Sequence, residues 1–143
     1  MAPKLGPILI GRDKIQERVK ELAKIIMEVY GEDLPILLPV LTGSFIFVAD
    51  LVRLLPPSIQ VSFIKAYSYG DKCVSSGKVV LTGLENLDIT GKKVLIIEDI
   101  IDTGLTLNRL ITELKRKEPK DVKVCVLLDK PSRRKTLIIP DLI

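Results

Sequence analysis

Val94-Leu95-Ile96-Ile97-Glu98-Asp99-Ile100-Ile101-Asp102-Thr103-Gly104-Leu105-Thr106 decides the reading of this chain. An apolar run meets two adjacent acids, and a third acid opens a short turn that carries two threonines and a glycine. Leu107, Leu110, Ile111 and Leu114 follow at i, i+3, i+4 and i+7, the repeat of an amphipathic helix. The order is therefore strand, acidic tip, turn, helix start. The first backbone N–H groups of a helix lack partners within it and carry partial positive charge, which suits a phosphate. Thr103 and Thr106 can add hydroxyl hydrogen bonds, and Gly104 lets the backbone come close to a ligand. Glu98 and Asp99 stand where two carboxylates can hold vicinal hydroxyls or a divalent cation. This pattern predicts a site for a sugar phosphate.

Rival readings explain less of the run. Asp102-Thr103-Gly104 also fits the catalytic turn of aspartic proteases, but those are built from β-hairpins and a helix period follows here. Neither the glycine pattern of a dinucleotide fold nor that of a P-loop occurs. A plain helix cap accounts for Asp102 or Thr103 alone. It leaves the other acids, the second threonine and the glycine without a reason.

Working outward, helices and strands alternate. Ile15, Val19, Leu22, Ala23 and Ile26 mark a helix over about 13–30, stopped near Gly31. Residues 35–41 read as a short apolar strand. Phe45, Val48, Ala49 and Val52 mark a second helix, closed by Pro56-Pro57. Gln60–Tyr67 reads as one strand, Lys78–Thr82 as another, and Val94–Ile97 and Val122–Leu128 complete the set. Such alternation predicts βαβ units around a parallel sheet, with ligands beyond the carboxyl ends of its strands. The chain has 143 residues, enough for one core, and is 47% hydrophobic and poor in aromatics, as buried parallel strands require. The expected organisation is a single domain over 1–143.

Composition excludes several function classes. Histidine is absent, so no His-based triad or His-ligated zinc is possible. The net charge is +4 and the basic residues are dispersed, apart from a modest cluster at Arg133-Arg134-Lys135, so no nucleic-acid partner is expected. No apolar segment reaches transmembrane length and no signal peptide is visible, so no membrane association is expected. Cys125 lies in an apolar run and reads as core, while Cys73 reads as a free thiol in a loop. A cytoplasmic location with reduced thiols is the default expectation.

The central run resembles the phosphoribosyl-pyrophosphate (PRPP) binding motif of type I phosphoribosyltransferases, in a wording close to that of the hypoxanthine-guanine phosphoribosyltransferases. Three further stretches are similar to that family and stand in its order. Val40-Leu41-Thr42-Gly43-Ser44-Phe45, with the helix after it, resembles the pyrophosphate loop. Ser68-Tyr69-Gly70 followed by Ser75-Ser76-Gly77 resembles the mobile active-site loop, a lid that keeps water from the reacting sugar. Leu127-Leu128-Asp129-Lys130-Pro131-Ser132-Arg133-Arg134 resembles the purine-contacting lysine segment.

The resemblance implies an α/β fold with a mainly parallel central sheet flanked by helices and an incomplete hood. It implies purine salvage, in which hypoxanthine or guanine and PRPP give IMP or GMP and pyrophosphate. Asp102 takes the role of general base, Glu98, Asp99, Asp102, Thr103, Gly104, Leu105 and Thr106 that of PRPP binding, and Leu41, Thr42 and Gly43 that of the pyrophosphate loop. Ser68 and Tyr69 fall in the mobile loop, and Lys130 meets the 6-oxo group of the purine. Glu98 and Asp99 also stand at the Mg²⁺ position, and a cis peptide is implied at Leu41-Thr42. A homodimer or homotetramer is implied as well.

Departures from the family pattern are visible. Thr42 replaces a residue that is often basic, and Leu105 one that is often lysine. The family also continues for a few dozen residues beyond Ile143, with an aromatic that stacks on the purine, an Asp associated with magnesium and an Arg for pyrophosphate. A missing C-terminal hood segment is thus expected, with Leu137, Ile138, Ile139, Leu142 and Ile143 poorly covered. The alternative to an enzyme is a non-catalytic PRPP- or nucleotide-binding relative, or an inactive short form.

Overall fold

The computed structural model describes residues 3–68 and 78–143. In chain order it contains α1 (Arg12–Tyr30), β1 (Ile36–Leu41), α2 (Phe45–Val52), β2 (Gln60–Val61), β3 (Ile64–Ser68), β4 (Val79–Thr82), β5 (Lys93–Ile101), α3 (Leu105–Lys115) and β6 (Asp121–Asp129). A short 3₁₀ turn, Pro131–Arg133, follows β6. The sheet runs β4-β3-β1-β5-β6, with β2 also beside β1. The pairings β1–β2, β1–β3, β1–β5 and β5–β6 are parallel, and only β3–β4 is antiparallel. The expected mainly parallel sheet is therefore present.

Strand residues alternate between two apolar layers, as the pleat dictates. Leu37, Leu95, Ile97 and Cys125 pack under α1 and α2, through Leu22, Ile26, Phe47 and Leu51. Ile36, Leu38, Val94, Ile96, Val124 and Val126 face the other way, against Leu107, Leu110 and Leu114 of α3. Helices thus cover both faces, and central strands buried on both sides explain the near-continuous Ile/Leu/Val runs. α1 ends at Gly31, whose φ of 58° favours glycine. Burial raises the Cys125 thiol to about 12, so it is an inert part of the core. Cys73 lies outside the described residues.

Several sequence expectations need correction. Gln60–Tyr67 is not one strand: β2 pairs with Ile36 and Leu37, and β3 with Val40 and Leu41, leaving Ser62 and Phe63 between them. Pro39 gives the reason. Leu37 accepts a hydrogen bond from Ser62 N at 2.9 Å, so Pro39, two residues on, faces the same neighbour with no N–H to donate. β5 is longer than Val94–Ile97 and carries Glu98 and Asp99 inside it, ending at Ile101. α2 buries Phe47, Val48 and Leu51 rather than the stripe through Phe45, and Phe45 is exposed. Apart from Asp50 the helix is apolar, so periodicity alone does not choose its buried face.

Both terminal segments are largely irregular among the described residues. Residues 3–11 form no helix or strand, and Leu5 is 98% exposed. Leu137, Ile139 and Ile143 are exposed as expected, whereas Ile138 packs on the α3-side core. Leu142 departs from expectation: it is buried, because it forms a parallel bridge with Cys125, with Leu142 N bonded to Val124 O and Val126 N to Leu142 O at 3.0 Å each. Asp141 Oδ2 accepts from Val124 N at 2.8 Å and fixes the same contact. Among the described residues no helix is long and apolar enough to cross a membrane.

This layering makes a stability prediction. Ile96→Ala should cost about 2–5 kcal/mol in urea unfolding, because it leaves a cavity between sheet and α3. Leu137→Ala, at a fully exposed position, should stay within about 0.5 kcal/mol. Equal losses in the two variants would contradict the assignment of Ile96 to the core.

Candidate active site

The site forms where the chain changes direction across the sheet. β1 leads through α2 to β3 on one side of it, and β5 leads through α3 to β6 on the other. Because β1 and β5 are parallel neighbours, their carboxyl ends open side by side into a crevice, the usual ligand position in such sheets. The segments after β1 and β6 and the end of β5 meet there.

At the end of β5 the turn passes through Gly104, at φ 84°, into the N-terminus of α3. No side chain caps that helix, so its leading N–H groups are largely free for a ligand. Thr103 Oγ1 accepts only a long bond, 3.3 Å, from Leu105 N. A Cβ at Gly104 would run into the Thr136 hydroxyl and lie 3.1 Å from Arg134 Cδ, so the position demands glycine for space as well as for φ. A cavity of about 190 Å³ lies against this turn. Of the residues singled out in the sequence, Glu98, Asp102, Thr103, Gly104 and Thr106 line it. Ile100, Ile101 and Leu107 line it too and were missed, since apolar strand and helix residues carry no polar signature. Leu105 begins α3 but is not part of the lining.

The acids occupy distinct positions. Burial, then the neighbouring Asp99 carboxylate, pushes Glu98 up to about 8. Asp99 faces the loop after β1: a Cβ on Gly43 would sit 3.0 Å from its Oδ2. Asp99 Oδ1 also accepts from Ile100 N at 2.9 Å. A side chain at 43 would press on the Asp99 carboxylate, which would have to give way by a few tenths of an ångström. The Leu41–Thr42 peptide is cis, and the buried Ser44 hydroxyl donates to Val40 O at 2.6 Å, folding the loop back on its strand. Thr42 and Gly43 are exposed, and Ser44 is not a side-chain cap of α2.

Asp102 opens the turn. Arg133 Nε lies 3.1 Å from its Oδ1, an ion-pair distance without hydrogen-bond alignment, and that oxygen is buried with no hydrogen-bond partner. Lys130 is exposed at the end of β6, and its backbone N donates to Ile101 O at 2.8 Å, tying it to the β5 tip. Ser68 is the last residue of β3, while Tyr69 and the rest of 69–77 lie outside the described residues. Among the described residues no group of three or more His, Cys, Asp or Glu is placed to hold a metal. Glu98 and Asp99 are a set of two carboxylates.

Known proteins resemble this chain over most of its length. The phosphoribosyl transferase domain model matches residues 11–142. The chain belongs to the phosphoribosyltransferase family. It is 44% identical to a hypoxanthine-guanine phosphoribosyltransferase of Aquifex aeolicus, over 90% of this chain and 72% of that protein. It is 43% identical to the hypoxanthine phosphoribosyltransferase of Escherichia coli K12, over 89% and 72%. A crystal structure of a hypoxanthine-guanine phosphoribosyltransferase from Bacillus anthracis superposes with a TM-score of 0.88 at 41% identity, covering 97% of this chain and 82% of that one.

Glu98 gives the site a pH dependence. Its folded-state value, about 8, lies above its ordinary value of 4.5, so the folded chain holds a proton that the unfolded chain has lost between those values. Its contribution to stability is full below about 4.5, declines as pH rises toward about 8, and is level above that. Glu98→Gln should remove this component of the decline, seen by comparing urea unfolding of the two proteins from pH 5 to pH 8. Parallel pH profiles would show that Glu98 is not the buried acid responsible.

Proposed function

We propose that this phosphoribosyltransferase transfers the ribose 5-phosphate of PRPP to a 6-oxopurine, hypoxanthine or guanine, releasing pyrophosphate and forming IMP or GMP. The approach of Gly43 to Asp99 supports this reading best, because it joins the loop for pyrophosphate to the acids for ribose at one point of the crevice. The names of the relatives agree with it. We treat residues 1–143 as one such domain, acting in the cytoplasm as a homodimer or homotetramer.

The 5′-phosphate rests on the N–H groups of the Asp102–Thr106 turn at the start of α3, with the Thr103 and Thr106 hydroxyls beside it. Glu98 and Asp99 face the ribose 2′- and 3′-hydroxyls. A purine ring nitrogen attacks C1′, the bond from C1′ to pyrophosphate breaks, and the purine N7 proton passes to Asp102. The Asp102 carboxylate suits that role because one of its oxygens has no hydrogen-bond donor assigned to it. The Lys130 ammonium donates to the 6-oxo group, which selects against adenine. Leu41, Thr42 and Gly43 offer backbone groups to pyrophosphate, and Ser68 and Tyr69 begin the segment proposed to cover the sugar.

The donors also fit Mg²⁺. Two neighbouring carboxylates that hinder each other's ionisation favour a divalent cation, and Mg²⁺ takes one or two carboxylates with water and substrate oxygens. Glu98 and Asp99 would hold it, and when bound it supplies positive charge to the pyrophosphate leaving group. With Thr42 uncharged, that charge matters more in this chain than where the loop carries a basic residue.

A PRPP-dependent assay with hypoxanthine, guanine, xanthine and adenine tests the reading. Turnover with the 6-oxopurines and none with adenine is expected, whereas PRPP binding without turnover of any base would make the chain a non-catalytic binding relative. Asp102→Asn should keep PRPP binding and lose about 10²–10⁴-fold in turnover; full activity would put the base elsewhere. Asp99→Lys should weaken PRPP binding in calorimetry, and unchanged affinity would count against the ribose assignment.

A further inference from the structure

The Arg133-Arg134-Lys135 cluster looks like surface charge in the sequence, yet Arg134 is not a surface residue. Its side chain is 12% exposed, and that of its partner, Asp129, 17%. A guanidinium taken out of water is tolerated only when its donors are used, and here they are spent on three separate segments. Nη2 donates to the Asp129 carboxylate at the end of β6, Nη1 to the Ile138 carbonyl, and Nε to the Asp102 carbonyl at 3.2 Å. The neighbouring backbone repeats the connection, with Lys135 N bonded to Thr103 O at 2.8 Å. Arg134 Cδ and the Thr136 hydroxyl also fill the space behind Gly104.

Among the described residues the other ties of the phosphate turn are backbone bonds, from Lys135 N to Thr103 O and from Asn108 N to Gly104 O, and the Arg133 guanidinium beside the Asp102 carboxylate. No side chain caps α3, and the one side-chain bond within the turn is the 3.3 Å contact from Leu105 N to Thr103 Oγ1. We propose that Arg134 is the positioning residue of the sugar-phosphate turn, holding the Asp102 carbonyl in register with the end of β6 and with the 137–143 segment. The inference rests on the assignment of Asp102–Thr106 as the 5′-phosphate turn. The guanidinium is required for its shape and not only its charge. A lysine ammonium is a point charge on a flexible stem and cannot span the same three acceptors in a fixed plane. The turn and the Lys130 segment are thereby set relative to each other through one side chain, so the phosphate and the base are aligned together.

The test separates this role from general stabilisation. Arg134→Lys and the isosteric Asp129→Asn are compared with the natural chain by calorimetry, with ribose 5-phosphate and, separately, pyrophosphate with Mg²⁺. Loss of an aligned hydrogen bond in the turn should weaken ribose 5-phosphate about tenfold in Arg134→Lys, with a smaller loss in Asp129→Asn. Pyrophosphate, held at the Leu41–Gly43 loop, should bind unchanged, and circular dichroism should stay native. KM for PRPP should rise by more than kcat falls. Undiminished ribose 5-phosphate affinity in a folded Arg134→Lys chain would overturn the proposal, as would equal loss of both ligands. If Arg134→Lys does not fold, Asp129→Asn carries the same comparison. A natural chain that binds neither PRPP nor ribose 5-phosphate would instead refute the phosphate-turn assignment itself, and this inference with it.

Discussion

Parallel pairing of β1 with β5, from Ile36 opposite Val94 to Pro39 opposite Ile97, is the constraint on which the site depends. It brings two chain segments some sixty positions apart to the same edge of the sheet and points both carboxyl ends the same way. A slip of one residue would exchange the layers, sending Leu37 and Leu95 toward α3 and Leu38 and Ile96 toward α1 and α2. With both layers apolar and filled, that slip is resisted by nearly every side chain in the two strands. Beyond the last pair Val40 and Ile101 stay buried and β5 stays paired with β6, but polar residues enter both segments, Thr42 to Ser44 on one side and Glu98, Asp99 and Asp102 on the other.

The electrostatics of the crevice follow from that placement. Three carboxylates collect at the tip of β5, where burial, then the neighbouring Asp99 carboxylate, pushes Glu98 up to about 8. Opposing them are the uncapped start of α3, Arg133 beside Asp102, and Lys130 at the end of β6. A ligand bearing phosphate at one end and a divalent cation at the other satisfies both signs. The internal tie through Arg134 keeps the two halves together without adding a free positive charge to the cavity, since its guanidinium is already paired with Asp129.

Much of this was legible in the chain. Acids, threonines and a glycine between a strand and a helix pattern have few other uses, and the structure brings Glu98, Asp102, Thr103, Gly104 and Thr106 around one cavity. Less legible were features whose signal is spread over distant residues. The break between β2 and β3 arises from Pro39 on another strand, and the buried face of α2 from the packing of α1. Leu142 has the composition of an exposed tail, but the Val124 and Val126 backbone recruits it.

What the sequence by itself determined was the class of fold and the chemistry of the tip: strand and helix periods, an apolar core, and a phosphate-type turn followed by a helix. These are local matters, set by residues within a few positions of one another, where backbone preference and side-chain period act directly. Tertiary structure alone decided which tips meet and how closely. That Gly43 leaves room for the Asp99 carboxylate, that Thr136 and Arg134 close the space behind Gly104, and that Arg134 reaches three acceptors are facts of packing between segments. An arginine in a basic cluster has no local pattern that says whether it faces water or folds inward. Only the positions of Asp129, Ile138 and Asp102 in the finished sheet make the inward position favourable, by offering acceptors that compensate the loss of solvent.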